Sequence, residues 1–172
     1  MSKADGKRRF SCGKPAMDNY FRNRAWSHHQ ERIARVFVFE EIGIDGTSSE
    51  MLGFFSLASS EISRERLSNA FTGSLPKYPL PVFYVGYFAV SIARQKQGLG
   101  RAMMRDVIRR CVAAADNVGA LGVYLDSLDD DSTRFYSALG FLPIPRDPAR
   151  PDDPRQPMLL PMRDLIAAVP AR

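Results

Sequence analysis

The sequence predicts a mixed α/β sheet with helices on both faces. Three observations carry this. Two β-favouring runs, Val36–Phe39 and Met51–Leu57, flank an Asp45-Gly46 turn signal and read as antiparallel neighbours. The apolar run Val82–Val90, a helical pattern from Leu99 to about Ala115, and the run Leu121–Leu125 form a strand–helix–strand unit. Such a unit implies a parallel pair with a right-handed crossover. No internal repeat and no second domain is visible, so residues 1–172 read as one domain.

Taken in order, residues 1–9 are polar and basic and read as flexible. Pro15 opens a helix, because its missing N–H costs nothing at the first position. Met17, Tyr20, Phe21 and Ala25 then recur at helical spacing through about Ile33. Residues 64–72 read as a short helix. Pro76, Pro79 and Pro81 punctuate the lead-in to the strand Val82–Val90. Leu99, Met103, Val107 and Ile108 give the next helix its apolar face, and Asn117 and Gly119 stop it. Asp129 to Asp131 cap a further helix that carries Phe135, Tyr136 and Leu139 and stops at Gly140. Phe141 opens one more extended segment. Residues 143–157 contain six prolines among alternating Arg and Asp, which predicts a stiff, extended polar loop. Met158-Leu159-Leu160 then returns to the sheet.

Composition narrows the class. Hydrophobic residues make up 45% and charged residues 25%, as in ordinary globular domains. No run of about eighteen apolar residues occurs, so no membrane span is expected. Met1–Lys7 has no apolar core and does not read as a secretory signal. Cys12 and Cys111 are the only cysteines and read as reduced thiols in a cytoplasmic protein. No His/Cys spacing suits a metal. The formal net charge is +5. Residues 1–35 hold nine Lys/Arg against three Asp/Glu, which favours an acidic partner such as nucleic acid or serves as a solvated face.

The most telling stretch is Val85 to Ala102. An apolar strand runs into Gln95-Lys96-Gln97-Gly98-Leu99-Gly100-Arg101, and a helix follows at once. A helix N-terminus offers unpaired N–H groups and the positive end of its dipole. Glycines let that backbone approach phosphate oxygens closely, and Lys96 and Arg101 add positive charge. The segment therefore predicts a phosphate-bearing ligand.

Gln95-x-x-Gly98-x-Gly100-Arg101-Ala102 after a strand resembles the acyl-CoA-binding motif of the GNAT acetyltransferases. Phe135-Tyr136-Ser137-Ala138-Leu139-Gly140-Phe141, about 35 residues on, resembles their second signature. The resemblance implies the GNAT fold, a mixed, mostly antiparallel central sheet with splayed parallel central strands. Phe10-Ser11-Cys12-Gly13-Lys14-Pro15-Ala16-Met17-Asp18-Asn19-Tyr20-Phe21 is similar to the opening of GNAT toxins from bacterial toxin–antitoxin modules. Gln30 to Phe37, Leu52-Gly53-Phe54-Phe55-Ser56-Leu57-Ala58 and Leu80-Pro81-Val82 look like their next landmarks. Those toxins acetylate the α-amine of aminoacyl-tRNA, block translation and are neutralised by a ribbon–helix–helix antitoxin. They are commonly dimers. Two departures stand out. The 143–157 loop is longer than the usual link, and Tyr87-Phe88-Ala89-Val90 stands where Arg-Leu-Ala-Val is common.

The resemblance implies site residues. The backbone of Phe88, Ala89 and Val90 would bind the pantetheine of acetyl-CoA, and Gln95, Lys96, Gln97, Gly98, Leu99, Gly100 and Arg101 its pyrophosphate. Tyr136 would be the general acid, donating to the sulfur as charge develops. No general base stands out; Asp126 and Asp129 serve as helpers or as strand-end and cap carboxylates. Arg22, Arg24, Arg32 and Arg35, with Lys77, Arg94 and Lys96, are the candidates for tRNA phosphates. His28 and His29 read as surface or RNA contacts, and Trp26 as a base-stacking or packing residue. Two other readings of the fold stay open: acetylation of a small amine, peptide N-terminus or lysine, and a non-catalytic binding module.

Overall fold

The computed structural model describes residues 1–7, 9–43, 49–67 and 75–167. The Asp45-Gly46 turn signal and residues 68–72 of the expected short helix lie outside the described residues. The chain divides into two compact units. The first is Met1–Ala58 with Gly86–Val107, and the second is Ser59–Val85 with Ile108–Arg172.

Pro15 does open a helix, α1 (Pro15–Asn23), which α2 (Ala25–Gln30) follows. The expected single helix to Ile33 is thus broken at Arg24, whose φ is −129°. Ser27 Oγ bonds back to the Arg24 carbonyl, a local bond that competes with a continuous helix. Arg32 then adopts a left-handed φ of 61°, and the chain turns into β1 (Arg35–Ile42). The remaining strands are β2 (Ser49–Ile62), β3 (Leu80–Val90), β4 (Gly122–Ser127), β5 (Leu142–Pro143) and β6 (Gln156–Pro161). The remaining helices are the long α3 (Leu99–Ala115), α4 (Asp130–Ser137) and a short α5 (Met162–Ala167) at the end. Of the helix expected over 64–72, Arg64–Arg66 forms a single 3-10 turn. Another 3-10 turn spans Asp5–Lys7.

The six strands run in the order β1-β2-β3-β4-β6-β5, with β2 and β3 contributing to both units. β1 and β2 pair antiparallel, with a register shift at Phe39/Glu40. β3 and β4 are the expected parallel pair, in register from Phe83↔Val123 to Val85↔Leu125. β6 pairs antiparallel with both β4 and β5, so the last strand of the chain lies between two earlier ones.

In the first unit, Phe10, Tyr20, Phe21, Val36, Phe54 and Ala89 form a core. Phe54 is fully buried, with Phe21 at 4.6 Å and Phe10 at 5.5 Å between ring centroids. Burying one such ring contributes about 1.5–3 kcal/mol. Tyr20 stacks on Tyr87 at 3.4 Å, which gives the departure from Arg at position 87 a packing role. The buried Ser56 hydroxyl accepts the Tyr87 N–H at 3.0 Å.

In the second unit, Ile62, Leu67, Leu80, Val82, Tyr124, Ile144 and Leu159 form a second core. The proline-rich segment is anchored rather than extended. Ile144, 3% exposed, donates its N–H to the Pro157 carbonyl, and Gln156 Nε2 donates to the Ile144 carbonyl. Asp147 and Asp153 each accept a backbone N–H two residues on, from Ala149 and Arg155. Those are Asx turns, which fold the segment back on itself where proline alone would only stiffen it. No helix among the described residues is long and apolar enough to cross a membrane.

Candidate active site

The first unit carries the glycine loop. After β3 the chain makes a 3-10 turn at Ile92–Arg94 and reaches Gln95. Gln95 Nε2 donates to the Val90 carbonyl at 3.1 Å and to the Cys12 carbonyl at 2.9 Å. Gln95 is thereby the buttress that ties the loop to the strand end and to the N-terminal segment. Gln97 Nε2 donates to the Ala93 carbonyl, a second bond within the loop. Lys96 and Gly98 are both left-handed, with φ of 60° and 83°. Gly98 is needed for that backbone and not for space, because a Cβ there would meet nothing within 4 Å. The Ala102 N–H closes the first helical bond onto the Gly98 carbonyl. The N–H groups of Leu99, Gly100 and Arg101 lie in the opening turn, which has no intrahelical acceptors for them. A cavity of about 350 Å³ borders this turn, lined by Leu52, Arg94, Gln97, Gly98, Leu99 and Ala102. Exposed Lys96 and Arg101 add charge. Left-handed glycine, open helix turn and cations together suit a pyrophosphate.

Gly53 on β2 is the support that sequence reasoning passed over. A Cβ there would lie 2.6 Å from the Ala89 carbonyl oxygen and 2.8 Å from the Met103 sulfur. It lets β2, Ala89 and α3 approach closely beneath the loop. A lone glycine inside an apolar strand run was the available signal.

The N-terminal landmark has a physical basis as well. Asp18 accepts the Cys12 N–H at 2.9 Å and the Ser11 hydroxyl at 2.7 Å. Burial works against its charge, but these donors, with Arg22 nearby, outweigh it and hold the carboxyl below its ordinary range. The two thiols are buried, and burial pushes Cys12 up to about 11 and Cys111 up to about 12. Both are structural groups.

Tyr136 belongs to the second unit, on α4. Asp129 caps that helix in a capping box, accepting the Ser132 N–H while the Ser132 hydroxyl accepts the Asp129 N–H. At the other end Gly140 is left-handed at φ 92°. The Phe141 N–H returns to the Tyr136 carbonyl, and the Gly140 N–H to that of Ser137. This is a Schellman ending, with its usual apolar contact made by the Tyr136 and Phe141 rings at 5.7 Å. The Phe-Tyr-x-x-x-Gly-Phe pattern therefore encodes a helix end that fixes the tyrosine ring. Tyr136 is 8% exposed. Burial, with the Asp129 charge beside it, raises its phenol well above the ordinary tyrosine value.

The basic candidates are distributed. Arg22, Arg24, Arg32 and Arg35 are all exposed in and just after the helical pair of the first unit, and Lys77 is exposed in the second. Arg94 is differently placed. Its guanidinium pairs with Glu41 and, at 2.7 Å, with Glu50, which face each other across the β1–β2 ladder. His28 packs against the Tyr20 ring at 5.5 Å. His29 Nδ1 accepts the Val36 N–H that starts β1, and its ring stacks with Trp26 at 6.0 Å. Burial, helped by the N-terminal charge and Arg35, lowers its pKa and keeps the acceptor form.

A second cavity, of about 230 Å³, lies wholly within the second unit. Tyr84, Tyr124 and Asp126 line it from the strands, and Arg146 and Arg155 from the proline-rich segment. The Tyr124 hydroxyl donates to Asp126 Oδ1 at 2.8 Å and the Tyr84 hydroxyl to Oδ2 at 3.2 Å. Burial first, then the Asp126 charge, raises the Tyr84 phenol above its ordinary value. Only the two-residue alternation Tyr124-x-Asp126 on one strand face hinted at this cluster. No group of three or more His, Cys, Asp or Glu among the described residues could hold a metal.

The pattern of the acetyltransferase (GNAT) family matches residues 12–141. A tRNA-acetylating toxin of Mycobacterium tuberculosis (strain ATCC 25618 / H37Rv) is 34% identical over 148 residues, covering 86% of this chain and 85% of the toxin. Among solved structures, AtaT complexed with acetyl-methionyl-tRNAfMet gives a TM-score of 0.81 at 21% identity, covering 95% of this chain and 91% of that one. An AtaT mutant toxin bound to the C-terminus of the antitoxin AtaR and acetyl-CoA gives 0.73 at 19% identity, covering 92% and 86%. At those identities the two structures establish the fold alone.

Proposed function

This chain belongs to the GNAT acetyltransferase family, and we propose that its acceptor is the α-amine of an aminoacyl group carried on tRNA, so that acetylation stops translation. The observation that carries the reading is the 34% identity to a tRNA-acetylating toxin across 86% of the chain. The four exposed arginines of the first unit support it, since a tRNA substrate must have its phosphates met by cations. Arg94 contributes less to that face than its charge suggests, because Glu41 and Glu50 share its guanidinium.

Acetyl-CoA supplies an activated thioester. The open N–H groups of Leu99 to Arg101, with Lys96 and Arg101, hold its pyrophosphate. The backbone of Phe88 and Ala89 takes the pantetheine arm as an added strand, while the Val90 carbonyl is already engaged by Gln95. Tyr136 stays protonated through the working pH range and donates a hydrogen bond to the sulfur as the C–S bond breaks. An α-amine, with a pKa of about 8, is partly neutral near pH 7, far more so than a lysine amine, and needs no strong base.

By the same family argument the enzyme acts in the cytoplasm as a homodimer and is restrained by a ribbon–helix–helix antitoxin; AtaT, solved with AtaR, is the precedent for an antitoxin partner. The deciding experiment incubates the purified protein with charged total tRNA and labelled acetyl-CoA, then sequences the labelled species. Label on aminoacyl-tRNA is expected. Robust labelling of a free amine or a lysine, with charged tRNA left unlabelled, would overturn the reading.

A further inference from the structure

The segment between Phe10 and α1 has no helix or strand of its own, yet its peptide groups are gripped from both sides. On one side stands the carboxylate of Asp18, in the first turn of α1. It accepts the Cys12 N–H at 2.9 Å and the Ser11 hydroxyl at 2.7 Å, and that hydroxyl accepts the Gly13 N–H at 3.3 Å. On the other side stands the turn that follows β3. The Ile92 N–H donates to the Ser11 carbonyl at 2.9 Å, and Gln95 Nε2 donates to the Cys12 carbonyl at 2.9 Å. All of these residues belong to the first unit.

The arrangement follows from peptide planarity. In a trans peptide the C=O and the N–H of one plane point in opposite directions. Asp18 holds the Cys12 N–H, so the Ser11 carbonyl of the same plane faces away from it, toward Ile92. The Ser11 hydroxyl does the same to the next plane. It holds the Gly13 N–H and leaves the Cys12 carbonyl to Gln95. Gly13 turns the chain at a left-handed φ of 82°, where a Cβ would meet the Ile92 side chain at 3.4 Å.

The glycine loop needs such support. Lys96, directly after Gln95, is left-handed at φ 60°, a conformation that persists in a non-glycine residue only where its surroundings over-determine it. A loop that presents N–H groups to a pyrophosphate also binds more tightly when it is already in place. We propose that Asp18 is a positioning residue for acetyl-CoA, acting through the Ser11–Cys12 and Cys12–Gly13 peptides on Gln95 and the glycine loop. This rests on the loop's being the pyrophosphate site. It gives the Phe10–Phe21 landmark a part in donor binding beside the core packing of Phe10, Cys12, Tyr20 and Phe21.

The test titrates each variant with acetyl-CoA in a calorimeter. Asp18→Ala should weaken binding about tenfold, the scale of one hydrogen bond to a charged group. Asp18→Asn keeps an acceptor for the Cys12 N–H and should lose only about threefold. Gln95→Ala cuts the link to the loop, so in that background Asp18→Ala should cost about threefold or less. A role confined to folding would lower the urea midpoint and leave both the affinity of the folded protein and the additivity untouched. Should Asp18→Ala not fold, Asp18→Asn is compared in the same two backgrounds. The double variant Lys96→Glu with Arg101→Glu tests the loop itself and should lose acetyl-CoA. If it does, and Asp18→Ala binds like the wild-type protein or loses the full tenfold in both backgrounds, the inference falls alone. If the double variant binds acetyl-CoA like the wild-type protein, the loop is not the pyrophosphate site and the inference falls with it.

Discussion

Tyr136 combines two properties that a leaving-group donor needs. Its ring is fixed by the Schellman ending and by burial, and its phenol is held protonated by that burial and by Asp129. Tyr136→Phe removes one hydroxyl and no packing. We expect it to keep the fold and acetyl-CoA affinity, measured calorimetrically, while kcat falls about 10²–10⁴-fold. Near-normal turnover would remove Tyr136 from the chemistry. The pH profile follows from the same shift. The protonated phenol is the active form, and its raised pKa keeps that form present beyond the ordinary tyrosine value of about 10. The amine must instead lose a proton, near pH 8. The kcat/KM profile should therefore rise to a plateau through about pH 8 and show no descending limb below about pH 10. A bell centred near neutrality would contradict this assignment.

The glycine loop works as an element because three neighbours hold it. Gln95 ties it to β3 and to Cys12, Gly98 supplies its left-handed turn, and Gly53 lets Ala89 and Met103 close beneath it. Gly53 is the sharpest of these to test. Its Cβ would meet a carbonyl oxygen at 2.6 Å, and a backbone atom cannot swing aside as a side-chain tip can. Gly53→Ala should lower stability by about 1–3 kcal/mol in urea titration. It should also weaken acetyl-CoA binding, because Ala89 belongs to the strand proposed to receive the pantetheine. Unchanged stability and affinity would show that the strands have slack. The proline-rich element follows a different logic. Its Asx turns and the Arg155–Asp153 fork give it one folded-back conformation, which brings Arg146 and Arg155 to the cavity that Asp126 lines.

For the molecule as a whole, charge distribution decides what can dock. The net charge of +5 is modest, but the N-terminal fifth alone carries a surplus of six. If that face meets tRNA phosphates, affinity must fall steeply with salt, because each neutralised phosphate releases counterions. Reversing Arg22, Arg24 and Arg32 to Glu together should weaken tRNA binding strongly at moderate salt. The slope of log K against log salt should become shallower, while acetyl-CoA affinity stays the same. A slope identical to that of the wild-type protein would move the tRNA surface elsewhere. The arginines are exposed, so the triple variant should fold, at the cost of the favourable Arg22 charge beside Asp18.

The order of elements, the glycine loop and the Phe-Tyr signature were legible in the sequence, because each is written within a few residues. Periodicity marks the helices, glycines stand at positive φ, and the Asp129 cap needs only Ser132 beside it. Proline at 15 likewise marked the first helix. The break at Arg24, the fold-back of residues 143–157 and the partners around Arg94 and Asp126 were not legible. Arg94 meets Glu41 and Glu50 across 53 and 44 residues of chain, and Tyr84 meets Asp126 across 42. Such partners are chosen by sheet register, and register is settled only when the strands pack. The sequence thus determined what kind of enzyme this is. The tertiary structure decided which charges are spent on one another, because burial and pairing belong to the folded neighbourhood and not to any residue alone.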